Sequence, residues 1–188
     1  MVLSPKDQAH LFSLWLPMIN FANKQMNIFP DAGEISEDNP IDLADSKVIH
    51  DKLWANNEIF SDFVKEHPDL SSEDKKIVLS WKTHIHGTFI FERNLKKGAA
   101  FLHSINHEDV VFIVVGRTDP LIDTFFPHQL PIILDATLMP FKNVIVTDGI
   151  YETMPMVFGG GAKQAFKENY LDAKKAGRIY TRLDQVFS

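Results

Sequence analysis

Histidine is the first residue type in this sequence dense enough to do chemistry. Five of the eight histidines fall within residues 84–128: His84, His86, His103, His107 and His128. His84 and His86 alternate with Ile85, so on a strand they share one face. Converging neutral imidazoles can bind zinc, nickel or iron, with Glu92 or Glu108 as an oxygen ligand. A divalent transition metal held by His84, His86, His103 and His107 is therefore one expectation to test, against the plainer one that no cofactor is bound. The spacing is weak: His103 and His107 flank an expected turn, where H-x3-H loses the meaning it has on a helix, and no H-E-x-x-H motif is present. Histidines hydrogen-bonded for purely structural reasons have the same signature.

A second group could bind a ligand: His128, Asp135 and the run Gly159-Gly160-Gly161-Ala162-Lys163. The glycines precede an expected helix, whose free N–H groups and dipole could hold a phosphate or carboxylate, with Lys163 assisting. The run fails both the P-loop and the dinucleotide fingerprints. Three glycines also serve to reverse a chain and dock a helix on a sheet. Asp135 interrupts the apolar run Ile132-Ile133-Leu134-Asp135-Ala136, so its carboxylate must face water or find a partner. Asp148 and Glu152 add carboxylates near strand ends, but Asp148-Gly149 reads as turn chemistry. No Ser/His/Asp order or nucleophile elbow is recognisable. Phe125-Phe126-Pro127 could form an exposed apolar lip or a cleft wall.

Composition limits what these residues can be part of. The chain has 188 residues, 45% apolar and 23% charged, enough for one domain or one domain with an appendage. It contains no cysteine, which excludes disulfides, thiol nucleophiles and cysteine-ligated metals. The net charge of −6 is unevenly spread. Residues 1–80 hold seven basic and fourteen acidic side chains, residues 81–158 six and eight, and residues 159–188 six and three. Such an acidic front and basic tail are most simply two solvated faces. They also allow an attraction between tail and front, within the chain or between copies in a homo-oligomer. Nucleic-acid binding through Lys163, Lys167, Lys174, Lys175, Arg178 and Arg182 ranks lower, because the rest of the molecule repels phosphate. The first twenty residues lack a leader pattern, and the apolar run Leu11–Phe21 is broken by Ser13, Pro17 and Asn20. The expectation is a cytoplasmic protein that makes no membrane contact.

The elements that must position these residues follow from periodicity. Ser4-Pro5-Lys6-Asp7 is a helix start, and Leu11, Trp15, Met18, Ala22 and Met26 form one apolar stripe. Pro17 predicts a kink near residues 13–17. Residues 29–43 read as an acidic loop; helices are expected around Leu43–Trp54, around Ile59–Phe63 ending before Pro68, and after a capping box at Ser71 and Asp74. Near residue 84 the period changes from 3.6 to 2. Five or six short strands are expected between residues 84 and 158, with turns at Asn94–Gly98, Asn106–Asp109, Pro140–Asn143 and Asp148-Gly149 and no room for βαβ crossovers. A last helix should end at Gly177, and residues 178–183 could add a short strand. The predicted fold class is α+β: a helical N-terminal subdomain over residues 1–83, then a small antiparallel sheet or barrel with a C-terminal helix over residues 84–188.

Leu130-Pro131, Leu138-Met139-Pro140-Phe141-Lys142, Ile145, Asp148-Gly149 and Phe158-Gly159-Gly160 together resemble a block, LP…L-x-PFK-x-x-I-x-x-DG, found in a family of small bacterial proteins of uncharacterised function. The likeness spans about residues 110–176. It implies a bacterial cytosolic protein with a shared β-module, and supplies no activity. The expectation drawn from the whole sequence is a non-enzymatic protein that binds a protein partner or small molecule. The alternative is a hydrolase or other enzyme built on the histidines.

Overall fold

A computed structural model describes all residues except 37, 126–129, 155 and 187–188. The chain divides into two compact units, Pro5–Lys82 and Met1–Ser4 with Thr83–Ser188. The class is α+β, as the change of period predicts.

The first unit is helical. Helix α1 (Pro5–Gln25) continues through Pro17 and buries Leu11, Trp15, Met18 and Ala22 of the stripe read from the sequence, with Leu14 and Ile19 beside them; it ends one residue before Met26, which is half-buried. Helix α2 (Leu43–Trp54) is capped by Asp42, which accepts from the Asp45 N–H. Helix α3 (Glu58–Glu66) ends at His67, ahead of Pro68. Helix α4 (Ser72–Ser80) starts at Ser71, whose hydroxyl accepts from the Asp74 N–H. Trp15 stacks on Trp54 at 5.5 Å and meets Trp81 edge-on at 5.3 Å, so one aromatic cluster joins three segments of this unit. The acidic loop is fastened by two α1 asparagines. Asn20 Oδ1 accepts from the Ile35 N–H and its amide donates to the Ile35 carbonyl; Asn23 clasps Phe29 the same way. Amides suit this work because each carries a donor and an acceptor.

Among the described residues the second unit holds six strands: β1 (Ile85–Leu95), β2 (Gly98–Ile105), β3 (Glu108–Val114), β4 (Ile132–Phe141), β5 (Val144–Met154) and β6 (Ile179–Tyr180). The short helix α5 (Leu121–Thr124) precedes β4, and α6 (Gly160–Lys175) follows β5. β1 pairs with β2 and β4, β2 with β3, and β4 with β5, all antiparallel. β5 returns to β3 through one parallel pairing, Val114 with Ile145, so the circuit closes as in a small, partly open barrel. The turns are short for local reasons. Asn106 and His107 both adopt positive φ, as a two-residue hairpin turn of primed type requires.

Alternation divides the side chains between two cores. Phe89, Phe91, Phe101, Phe112, Leu134 and Leu138 fill the inner face. Ala100, Leu102, Val111 and Ile113 on the outer face are covered by Tyr170 and Ala173 of α6. The β1–β2 pairing shifts register between Phe91 and Arg93, and Arg93 there pairs with Glu92 and lies over the Tyr170 ring at 4.1 Å. Residues 1–4 also belong to this unit: Val2 bridges Gly116, and the Leu3 N–H donates to the Gly116 carbonyl.

Candidate functional site

Among the described residues the histidines form no metal-binding group. His84 lies just before β1. His86 points to the outer face of the sheet. His103 is on the inner face, its ring over Phe89 at 4.7 Å and its Nδ1 2.9 Å from the Thr88 carbonyl. His107 is at the exposed tip of the β2–β3 turn. His128 lies outside the described residues. Among the described residues no three His, Asp or Glu side chains are grouped to hold a metal. The set His84, His86, His103 and His107 is split because β1 and β2 present odd-numbered residues inward.

Two predicted residues do meet. Asp135 on β4 stands opposite Thr88 on β1 and Glu152 on β5. Its Oδ1 is 3.5 Å from His86 Nε2, while His86 Nδ1 is 3.0 Å from the Thr137 hydroxyl. Hydroxyl, imidazole and carboxylate in that order can form a nucleophile, a base and its orienter. Thr137, however, is only 3% exposed. A substrate carbonyl must reach the hydroxyl, and this one faces neighbouring strands. Asp135 has thus found the partner its apolar setting required.

The triple glycine lies at the start of α6. Gly159 is the cap residue of α6 and makes no side-chain capping bond. None of the three glycines adopts positive φ, and an added Cβ at each would meet nothing within 4 Å. Neither a tight reversal nor a close approach therefore requires glycine at these positions. Lys163 is exposed one turn into the helix.

Sequence reasoning missed a polar group around the buried Asp148 and Thr147 of the β unit. Asp148-Gly149 is not a turn: β5 runs through it from Val144 to Met154. Asp148 is 3% exposed and its Oδ1 accepts from the Ile150 N–H at 3.1 Å. The Asp148 carbonyl accepts from Arg117 Nη1 at 2.6 Å. The guanidinium lies flat over Gly149, where an added Cβ would come within 1.8 Å of Arg117 Nη2. Beside it the Tyr151 and Thr147 hydroxyls are 2.6 Å apart. Burial pulls the Arg117 guanidinium below its ordinary pKa, against the pull of Tyr151 and Asp148 in the other direction. Burial likewise pushes the Tyr151 phenol up, with the Thr147 hydroxyl bond working the other way. The signal in the sequence was a charged Asp-Gly pair inside the strand-like run Val144–Tyr151, set against an arginine just after the apolar run of β3.

This arrangement does structural work that accounts for its burial. β3 and β5 share only one strand pairing, and the Val115 N–H donates to the Ile145 carbonyl beside it. Beyond that point Arg117 takes the Asp148 carbonyl and the Asp148 carboxylate takes the Ile150 N–H. Side chains thus satisfy backbone groups where the two strands part.

No protein-family model matches the chain, no curated protein is significantly similar to it, and no solved structure matches it. The class that fold and site define is an α+β protein whose strands form a circuit, with a buried Asp148 beside half-buried Arg117 and Tyr151 at its seam.

Proposed function

We propose that the protein is a non-enzymatic interaction protein whose β unit presents a surface to a partner. One observation carries this reading. Met154 at the end of β5, and Met156 and Val157 just after it, leave apolar side chains in water: they are 43%, 52% and 99% exposed. Contiguous exposed apolar side chains are a mark of contact surfaces, and methionine adapts to varied partners. The buried seam cluster is accounted for by strand closure. The outer face of β2 and β3, which binds oligonucleotides in many five-stranded barrels, is occupied by α6; this supports a protein partner over nucleic acid. Among the described residues no helix is long and apolar enough to cross a membrane. The cysteine-free composition and the likeness of residues 110–176 to a bacterial block support a bacterial, cytoplasmic setting.

The hydrolase reading rests on His86, Asp135 and Thr137. The two readings separate in one experiment: affinity capture with quantitative mass spectrometry, comparing the native protein with Met156→Asp/Val157→Asp and with His86→Ala/Asp135→Ala. A partner lost only in the first variant supports the interaction reading. A partner unaffected by that variant, together with hydrolysis of an ester panel lost in the second, overturns it.

A further inference from the structure

We infer that the surface formed by the end of β5 and the basic stripe of α6 receives an acidic, apolar-bearing segment of a partner protein. The inference rests on the interaction reading above and names the chemistry of its partner. The exposed residues Met156 and Val157 lead into Phe158, whose ring meets Phe166 of α6 edge-on at 5.0 Å. That contact holds Phe158, the residue after Val157, against the second turn of the helix. Lys163 and Lys167 are one turn apart there, and Lys174 lies two turns beyond Lys167 on the same side; all three are exposed. The opposite exposed side of α6 carries Glu168 and Asp172, which are tied up locally with Gln164 and Lys175. The helix therefore offers a one-sided cationic stripe, and the exposed Val157 stands two residues before its cap residue Gly159. A partner that covers both must place carboxylates along the stripe and bury an apolar side chain against Val157. A polyphosphate chain satisfies the lysines but leaves Met156 and Val157 in water, so a protein segment fits better.

The test uses the full chain as bait for a displayed random-peptide library, followed by anisotropy titration of the enriched peptides. Acidic peptides with an apolar anchor should be enriched. Lys163→Glu/Lys167→Glu/Lys174→Glu and Val157→Asp should each weaken their binding by about tenfold or more, with circular dichroism unchanged. Peptides that depend on Val157 but not on the lysines overturn the acidic partner and leave the interaction reading standing. No enrichment, or binding indifferent to both variants, overturns both. Salt-sensitive binding of a single-stranded oligonucleotide, lost with the lysines and unaffected by Val157→Asp, reassigns the stripe to nucleic acid. A concentration-dependent dimer abolished by both variants reassigns the surface to a second copy of this chain. Either reassignment overturns the proposal.

Discussion

Arg117 makes the most consequential single contact in the β unit, because it stands where backbone pairing between β3 and β5 runs out. Arg117→Met keeps much of the packing and removes the donor to the Asp148 carbonyl. It should destabilise the β unit by about 2 kcal/mol in urea unfolding. Gly149→Ala should cost about 1–3 kcal/mol from the backbone alone, since φ is +93°, and the new methyl also displaces the guanidinium. The Tyr151 phenol has a pKa raised by burial above its ordinary 10.0. Its contribution to stability is full below that value and fades as pH rises through the folded pKa. Tyr151→Phe should flatten the alkaline limb of the β unit's stability profile. Asp74 behaves in the opposite sense. Its hydrogen bond with His10, then that with Ser71, lowers its carboxyl below the ordinary 3.8. Its contribution is present above 3.8 and is lost as pH falls through the lower folded value. Asp74→Asn should therefore make acid unfolding of the helical unit less steep.

At the scale of elements, local chemistry was readable wherever it acts over short spans. Ser71 with Asp74, Pro5 at a helix start, Asn106 in a two-residue turn and Gly177 after α6 all do locally what their types predict. The apolar stripe of α1 was readable because burial repeats with the helical period. What could not be read is what depends on a distant partner. Asp148-Gly149 is turn-like in isolation; it lies in β5 where the pairing with β4 shifts register, and Arg117, 31 residues earlier in the chain, donates to its carbonyl. His86 and Asp135 are brought together by the β1–β4 register, and His103 is turned away by the strand pleat. Residues 1–4 join β3's extension at Gly116, which no periodicity within four residues could announce. Trp15 shows the energetic side of one element. Its loss from α1 removes contacts to Trp54, Trp81 and His50 at once, and Trp15→Ala should cost about 3–5 kcal/mol in the helical unit.

For the whole molecule, the net charge has a definite address. Residues 5–82 hold eight lysines and no arginine against fourteen carboxylates, while the other unit holds eleven of each sign. The entire −6 therefore sits on the helical unit. Self-repulsion there is screened by salt. Raising ionic strength from about 0.01 to 0.15 M should stabilise the helical unit and leave the β unit little changed. The same partition applies to the chromophores. Trp15, Trp54 and Trp81 all lie in the helical unit, and Tyr151, Tyr170 and Tyr180 all lie in the β unit. The protein is thus naturally labelled in two colours. Indole emission follows one unit and phenol absorbance the other, so whether they unfold as one cooperative block or in sequence can be seen without adding a probe.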